Sequence, residues 1–297
     1  MSTQTNESRS TVYKSDVAAF NDPRRYFIDW ISDGMKVLDV GCACGDFVKS
    51  LSCEKTIEAY GMEYDRGSIE KARNTGAFRE IFQIDLNSFD QAPFERFFGF
   101  FDVVSFGDVL EHLMNPLGVL LDFRRFLKPD GYFLISLPNI AHASVKAALL
   151  QDRFEYMDAG IMDKTHIRFF TYRSIGELLA AAKIKIVDAR GTFTNQKKAH
   201  WVGDDGLPEA VQQFIANDPH SFVMQYVMKA KVCDLPGISS ENIEKLRAII
   251  KDDRGNYYDT HSIPFFVKFS SCFIPVKSWR RKYRDMLCMR LSKGRAK

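Results

Sequence analysis

Residues 37–47 of this 297-residue chain are VLDVGCACGDF, an apolar run followed by small residues and an acid. The apolar run predicts a buried strand, and the residues from Asp46 onward predict the start of a helix. Gly41, Ala43 and Gly45 occupy the turn between them, where small side chains let a ligand approach the backbone closely. A strand, a small-residue turn and a helix in this order predict a binding loop for a nucleotide-like ligand.

The spacing of this loop argues against a dinucleotide. The dinucleotide pattern G-x-G-x-x-G places a pyrophosphate on the N-terminus of the helix. Here the third small residue comes one position earlier, Asp39 precedes the loop, and Asp46 falls in the first helical turn. Because both acids would repel a diphosphate, the loop favours a cationic, amine-bearing ligand. An NAD-dependent reductase is therefore the less favoured alternative.

The same arrangement recurs along the chain. Apolar runs end at Asp39, Glu63, Asp85 and Asp108, and helix-like stretches separate these acids, which are 24, 22 and 23 residues apart. Strands that alternate with helices at this spacing predict βαβ units and a parallel sheet. Further strands are predicted at 132–137, 183–190 and 221–230. We expect a Rossmann-like, doubly wound, seven-stranded and mostly parallel α/β sheet with helices on both faces, its ligand at one sheet edge.

The D-x-G-x-A-x-G pattern of residues 39–45 resembles motif I of the class I S-adenosylmethionine (SAM) methyltransferases. The resemblance implies that the acid after the second strand, Glu63, binds both ribose hydroxyls, which suits a carboxylate that accepts two hydrogen bonds. It also implies that Asp85 and Leu86 hold the adenine. The residues expected to bind SAM are Asp39, Gly41, Ala43, Gly45, Glu63, Asp85, Leu86 and Phe106.

A second motif follows the fourth predicted strand. If Asp108 opens a helical turn, then Asp108, Glu111 and His112 lie on one face. The stretch resembles the acid-x-x-Glu-His element of ubiquinone-type O-methyltransferases, some of which use it for a divalent ion. Three interpretations stay open: His112 is a general base, the three residues hold Mg²⁺ or another divalent cation, or Glu111 and His112 are structural.

Two later segments, residues 138–142 and 163–171, are similar to bacterial methyltransferases encoded beside glycosyltransferases. The second ends a stretch without clear periodicity, 151–171, which we interpret as a loop over the site. His166 in this loop is a second candidate catalytic residue beside His112. The similarity favours a hydroxyl of a sugar or polysaccharide precursor as acceptor, and such a hydroxyl needs a base or a metal. A quinone-like phenol is the alternative acceptor, and a non-catalytic adaptor also stays open.

Composition describes an ordinary globular chain. It is 45% hydrophobic and 27% charged, enough for a substantial core. The six cysteines contain no C-x-x-C pair, which argues against a structural zinc site. The first residues are polar, and the apolar run 263–276 is interrupted by Pro264, Lys268 and Pro275. That run is too short to span a bilayer, so we expect a reduced, cytoplasmic protein.

Charge is distributed unevenly between three predicted regions. These are a disordered start and helical cap (1–33), a SAM-binding domain (34–232) and an appendage (233–297). Residues 277–297 contain nine Lys or Arg and one acid, a charge of +8 against −5 for the rest of the chain. This basic, amphipathic tail predicts peripheral contact with an anionic membrane face or a glycosyltransferase partner, or else a solvated tail. Nucleic acid is disfavoured as a partner.

Overall fold

The computed structural model of the protein describes residues 22–193 and 206–253. A seven-stranded sheet with the order β3-β2-β1-β4-β5-β7-β6 runs through this part of the chain. Strands β1 to β5 pair in parallel, and β7 is antiparallel to both of its neighbours. The predicted fold class is confirmed. The strands are β1 (Lys36–Val40), β2 (Glu58–Glu63), β3 (Glu80–Gln83), β4 (Phe101–Gly107), β5 (Leu127–Pro138), β6 (Ile184–Phe193) and β7 (Val223–Val232).

Eight α-helices connect or cover the strands within the described residues. Several start at side chains that accept a hydrogen bond from the first helical turn, as Asp22, Asp65 and Asn115 do. Proline at the first position of α1 and α4 suits the unpaired N–H groups there. The helices are α1 (Pro23–Trp30), α2 (Asp46–Ser52), α3 (Arg66–Asn74), α4 (Pro116–Phe123), α5 (Ala143–Leu149), α6 (Tyr172–Ala181), α7 (Glu209–Asn217) and α8 (Ile238–Asp253).

The core lies on both faces of the sheet. Successive side chains of a strand point to opposite faces, so Leu38 belongs to one buried cluster and Val37 to the other. The second cluster also includes Phe27 and Ile28 of α1, which pack beside Phe47 of α2. Helix α1 therefore covers one face of the sheet and packs beside α2, the helix that follows the predicted binding loop.

The C-terminal boundary differs from the prediction. Helix α8 packs on α6 and β6, and its Asn242 is fully buried. The first compact unit of the chain therefore extends to Asp253 rather than to 232. The second unit, 254–297, lies outside the described residues, as does the basic tail. Contact of that tail with a membrane face or a partner stays a prediction.

Strand β5 is longer than the strand predicted at 132–137, since it begins at Leu127 and ends at Pro138. Within residues 22–193 and 206–253, none of the helices combines the length and apolarity that a bilayer crossing requires.

Candidate active site

The small-residue loop wraps back onto the second strand. The backbone N–H groups of Gly41 and Cys42 both donate to the Met62 carbonyl, at 2.8 and 3.1 Å. Gly41 has a φ of +70°, and a Cβ placed on it would lie 2.6 Å from Cγ2 of Val109. Both backbone conformation and space therefore require glycine at this position. The loop leaves exposed backbone at Ala43, whose φ of +46° is unusual for a residue with a side chain.

The carboxylate of Glu63 is held beside this loop. Its Oε2 accepts from the N–H of Ala43 at 2.9 Å, and its Oε1 accepts from the N–H groups of Tyr64 and Asp65 at 2.8 and 2.9 Å. Three backbone donors thus orient one carboxylate at the end of β2. Its role in ribose binding stays a prediction.

A small open cleft lies against the loop. Its lining includes the predicted residues Asp39, Gly41 and Ala43, together with Arg24 of α1. A guanidinium suits a carboxylate such as that of the methionine part of SAM. Sequence analysis missed Arg24, because a single basic residue in an aromatic N-terminal segment carries no recognisable signal.

Asp39 lies almost completely inside the protein. It is 6% exposed and accepts a hydrogen bond of 2.8 Å from the Ser105 hydroxyl. Burial raises the pKa of Asp39 to about 7, against the opposing effects of the Ser105 hydrogen bond and the positive charge of Arg24. Near neutral pH this carboxyl group therefore exists in both protonation states.

The remaining predicted cofactor residues surround the next strand ends. Asp85 is exposed and accepts from the N–H of Asn87 at 2.9 Å, while Leu86 is half-buried against the core. The ring of Phe106 is fully buried and packs against Phe123 at the sheet face. The ring of Phe106 is thus not available to a ligand. The adenine roles of Asp85 and Leu86 stay predictions.

A second group of polar side chains lies beyond the fourth strand. Glu111 and His112 belong to a short 3₁₀ helix, and His166 comes from the loop that precedes α6. The two imidazole rings are 4.8 Å apart, centre to centre, and His166 Nε2 lies 3.9 Å from Glu111 Oε1. The two predicted catalytic histidines are therefore neighbours, although they lie far apart in the sequence. The His112 ring also contacts Thr165, which is 53 positions away.

Asp108 lies outside this group, whereas the predicted metal set consisted of Asp108, Glu111 and His112. Its φ is +58°, and the 3₁₀ helix starts only at Leu110, so no helical face carries Asp108 with Glu111. Its Oδ1 instead accepts from the Ser136 hydroxyl at 2.7 Å and from Gln225 Nε2 at 2.8 Å. The group that could hold a metal ion among the described residues is Glu111, His112 and His166.

The Glu111 carboxyl group is unusual in its burial. It is 0% exposed, and neither of its oxygens has a hydrogen-bond partner within the described residues. Burial and the negative charge of Asp108 raise the pKa of Glu111 well above its ordinary value. A buried carboxyl group without partners is costly unless a ligand or ion satisfies it. With two imidazoles beside it, this donor set fits a divalent cation.

Both imidazoles are oriented by backbone carbonyls. His112 Nδ1 lies 3.1 Å from the Thr165 carbonyl, and His166 Nδ1 lies 3.0 Å from the Ile161 carbonyl. A carbonyl only accepts, so Nδ1 of each ring carries the hydrogen and Nε2 of a neutral ring keeps its lone pair. Burial and the neighbouring His112 lower the pKa of His166, which favours the neutral form.

Comparison with known proteins agrees with the geometry. A family model described as a methyltransferase domain matches residues 13–189, more than half of the chain. The ubiquinone biosynthesis O-methyltransferase of Neisseria meningitidis (serogroup A, serotype 4A) is 26% identical over 178 residues, which are 58% of this chain and 73% of that protein. The mitochondrial ubiquinone biosynthesis O-methyltransferase of Dictyostelium discoideum is 23% identical over 178 residues, 57% of this chain. The match spans only 56% of the Dictyostelium protein's length.

Among solved structures, a SAM-dependent methyltransferase from Archaeoglobus fulgidus has the same fold, with a TM-score of 0.50 and 20% identity. The match covers 75% of this chain and 94% of that one. The range of the family match includes the loop after β1. The chain therefore belongs to the class I SAM-dependent methyltransferases.

Proposed function

We propose that this protein transfers the methyl group of SAM to a hydroxyl oxygen of a small acceptor. The observation that carries the proposal is the buried, unpartnered Glu111 carboxyl group beside His112 and His166. A hydroxyl is a poor nucleophile until its proton is removed, whereas a free amine is not. A polar cluster that can accept or displace a proton thus favours O-methylation over N-methylation.

The position of this cluster supports its role. Gly107 lines the cofactor cleft, and Val109 contacts the loop at Gly41. The turn that carries Glu111 and His112 therefore starts directly beside the expected methyl donor. SAM supplies a sulfonium methyl group that the acceptor oxygen takes as the carbon–sulfur bond breaks.

The protein's own contribution is position and proton removal. Holding the acceptor in line and excluding water lowers the barrier to transfer. His112 is half-buried whereas His166 is 6% exposed, so His112 is the imidazole that an acceptor reaches more easily. In the cation-free site its Nε2 lone pair accepts the hydroxyl proton. If a divalent cation is bound, the same three residues hold it, and the cation lowers the pKa of the acceptor hydroxyl.

The acceptor class is the finer part of the proposal. The relatives described above are named for ubiquinone biosynthesis, which favours a phenol. A phenol, with a pKa of about 10, also loses its proton more readily than an aliphatic hydroxyl. The sugar acceptor predicted from the sequence has no support among these relatives and stays a prediction.

Calorimetry and a transfer assay test the proposal together. S-adenosylhomocysteine should bind the purified protein, and Glu63→Ala should weaken that binding, whereas Glu70→Ala on the exposed side of α3 should not. Transfer from labelled SAM is then measured with panels of phenols and of saccharides. His112→Ala should abolish transfer and retain S-adenosylhomocysteine binding. Normal binding without transfer to either panel would instead favour a non-catalytic adaptor.

A further inference from the structure

We propose that Glu111, His112 and His166 bind a first-row transition-metal dication, and that this ion fastens the 151–171 loop to the turn at 110–112. The inference deepens the proposed function, since it specifies what occupies the acceptor-side cluster. It replaces Asp108 in the predicted ligand set by a histidine from a distant segment.

The ligand atoms are already gathered. One atom from each of the three residues lies within 4.8 Å of the others. Both oxygens of the fully buried Glu111 lack a protein partner within the described residues. Asp108, in contrast, uses its Oδ1 for Ser136 and Gln225, the side chains that hold it at the ends of β5 and β7. Removing the negative charge of Asp108 thus removes a charge near Glu111 but none of the three gathered ligands.

The surroundings of the two rings match those of metal-binding histidines. Such a histidine donates its other ring N–H to a carbonyl or carboxylate, which fixes the ring and its tautomer. Both rings do so here, toward the Thr165 and Ile161 carbonyls. Thr165 is itself fixed, because its N–H and hydroxyl both donate to the buried Asp163, at 2.7 and 2.6 Å.

The donor types select the ion. Two imidazole nitrogens and one carboxylate oxygen suit Zn²⁺, Fe²⁺, Co²⁺ or Mn²⁺. Mg²⁺ prefers oxygen ligands and retains several waters, so it fits this set poorly. Among the divalent cations that the sequence left open, Mg²⁺ is therefore the disfavoured one.

The ion connects two segments that already touch. The N–H groups of Ile167 and Arg168 both donate to the Glu111 carbonyl at 3.0 Å. The Arg168 side chain also donates to the Met114 carbonyl, at 2.5 Å. These contacts join the loop to the turn through backbone acceptors alone. A cation shared by His166, Glu111 and His112 adds a link through side chains, and it stabilises the loop over the acceptor site.

Cation titrations distinguish the proposed ligand set, which contains His166, from the set predicted from the sequence, which contains Asp108. Zn²⁺, Mn²⁺ and Mg²⁺ are titrated calorimetrically into four metal-stripped, full-length proteins. These are the wild type and the variants Asp108→Asn, His166→Ala and His166→Gln. We expect the His166 variants to lose about 10- to 100-fold in Zn²⁺ affinity and Asp108→Asn to stay within about threefold. Mg²⁺ should bind at least about 100-fold more weakly than Zn²⁺. S-adenosylhomocysteine binding is measured in every variant to show that it is folded.

Hydrogen exchange tests the link to the loop. Zn²⁺ should slow exchange of the amides of Ile167 and Arg168 in the wild-type chain and leave it unchanged in His166→Gln. Unchanged exchange in wild-type protein that has bound Zn²⁺ would overturn the fastening role.

Other outcomes overturn the ligand set. Loss of affinity in Asp108→Asn, alone or together with the His166 variants, would make Asp108 a ligand. Absence of Zn²⁺ and Mn²⁺ binding at millimolar concentration, or Mg²⁺ binding as tight as Zn²⁺, would remove the proposed site. A chain that binds S-adenosylhomocysteine and transfers methyl groups without a cation would retain the proposed function and lose only this inference.

Discussion

Asp39 shows how the fold changes the chemistry of one carboxyl group. Its ordinary pKa is 3.8, and in the folded chain the pKa is about 7. Between these values the folded protein keeps a proton that the unfolded chain has lost. Stability therefore falls as the pH rises through this window, because the carboxyl group must then ionise inside the protein.

The first prediction concerns this pH dependence. The unfolding free energy of the wild type should fall between pH 4 and pH 7.5. In Asp39→Asn this fall should be smaller by about 2–4 kcal/mol, because the amide has no proton to lose. The amide oxygen can still accept the hydrogen bond from Ser105. Urea unfolding across the pH range measures the difference. Asp130→Asn, at an exposed position in β5, is the control. Parallel curves for wild type and Asp39→Asn would contradict the raised pKa.

Arg24 and Arg25 are adjacent residues with different surroundings. Arg24 lines the cleft beside the loop after β1, where we expect the cofactor to bind, whereas Arg25 pairs with Asp29 and Glu54 at the surface. We predict that Arg24→Ala weakens S-adenosylhomocysteine binding by about 10- to 100-fold through loss of a charge-assisted hydrogen bond to the carboxylate. Arg25→Ala should leave the affinity unchanged. Equal effects of the two variants in calorimetry would remove Arg24 from the site.

At the scale of the elements, the loop after β1 depends on two separate properties of glycine. Gly41 and Gly76 share a positive φ, +70° and +68°, but only Gly41 is crowded: a Cβ there would lie 2.6 Å from Val109, whereas Gly76 has nothing within 4 Å. The pair therefore separates backbone strain from steric overlap.

We predict that Gly76→Ala costs about 1 kcal/mol of stability and retains cofactor affinity, since only the left-handed backbone is penalised. Gly41→Ala should cost about 2–4 kcal/mol and weaken S-adenosylhomocysteine binding. The double variant Gly41→Ala/Val109→Ala should recover part of the lost stability and affinity, because it removes the Val109 methyl group that the new Cβ would overlap. Thermal unfolding and calorimetry measure both effects, and additive losses in the double variant would contradict the overlap.

The turn after β4 illustrates why local spacing misplaced one residue. Positions i, i+3 and i+4 share a face only if the chain is helical throughout. Asp108 instead adopts a left-handed conformation, and donors from β5 and β7 capture its carboxylate. Ser136 and Gln225 are 28 and 117 residues away in sequence. No pattern near Asp108 reveals either donor.

At the scale of the whole molecule, α8 belongs to the methyltransferase domain. The Asn242 side chain accepts from the N–H of Ile186 at 2.8 Å and donates to the Ile184 carbonyl at 2.9 Å. A buried amide thus connects α8 to the edge strand β6. Asn242→Ala would leave both backbone groups of β6 without these partners.

We predict that Asn242→Ala lowers the unfolding free energy by about 1–3 kcal/mol. The transition should remain single, because α8 and the sheet form one unit. Ser240→Ala, at an exposed position of the same helix, should have little effect. Chemical denaturation followed by fluorescence and by circular dichroism measures both variants. A separate early transition for α8 would support the predicted boundary near 232.

Much of the fold could be predicted from the sequence because its signals are local. Apolar runs that end in acids predicted the first four strands, and small residues at 41, 43 and 45 predicted the loop that the structure places at the end of β1. Each of these signals acts within about ten residues, where periodicity and backbone sterics control the conformation. The family resemblance rested on the same local stretch.

Tertiary structure alone decided the composition of the site. It brought Arg24 to the cleft beside the loop, engaged the Asp108 carboxylate with Gln225, and placed His166 beside Glu111. These contacts join segments that are far apart in the chain. Several of them are made by polar side chains, whose positions in the sequence follow no periodic pattern. A contact of this kind forms only after the sheet has set the distance between its strand ends. The sequence by itself therefore determined which strands, helices and loop form, and packing determined which side chains meet.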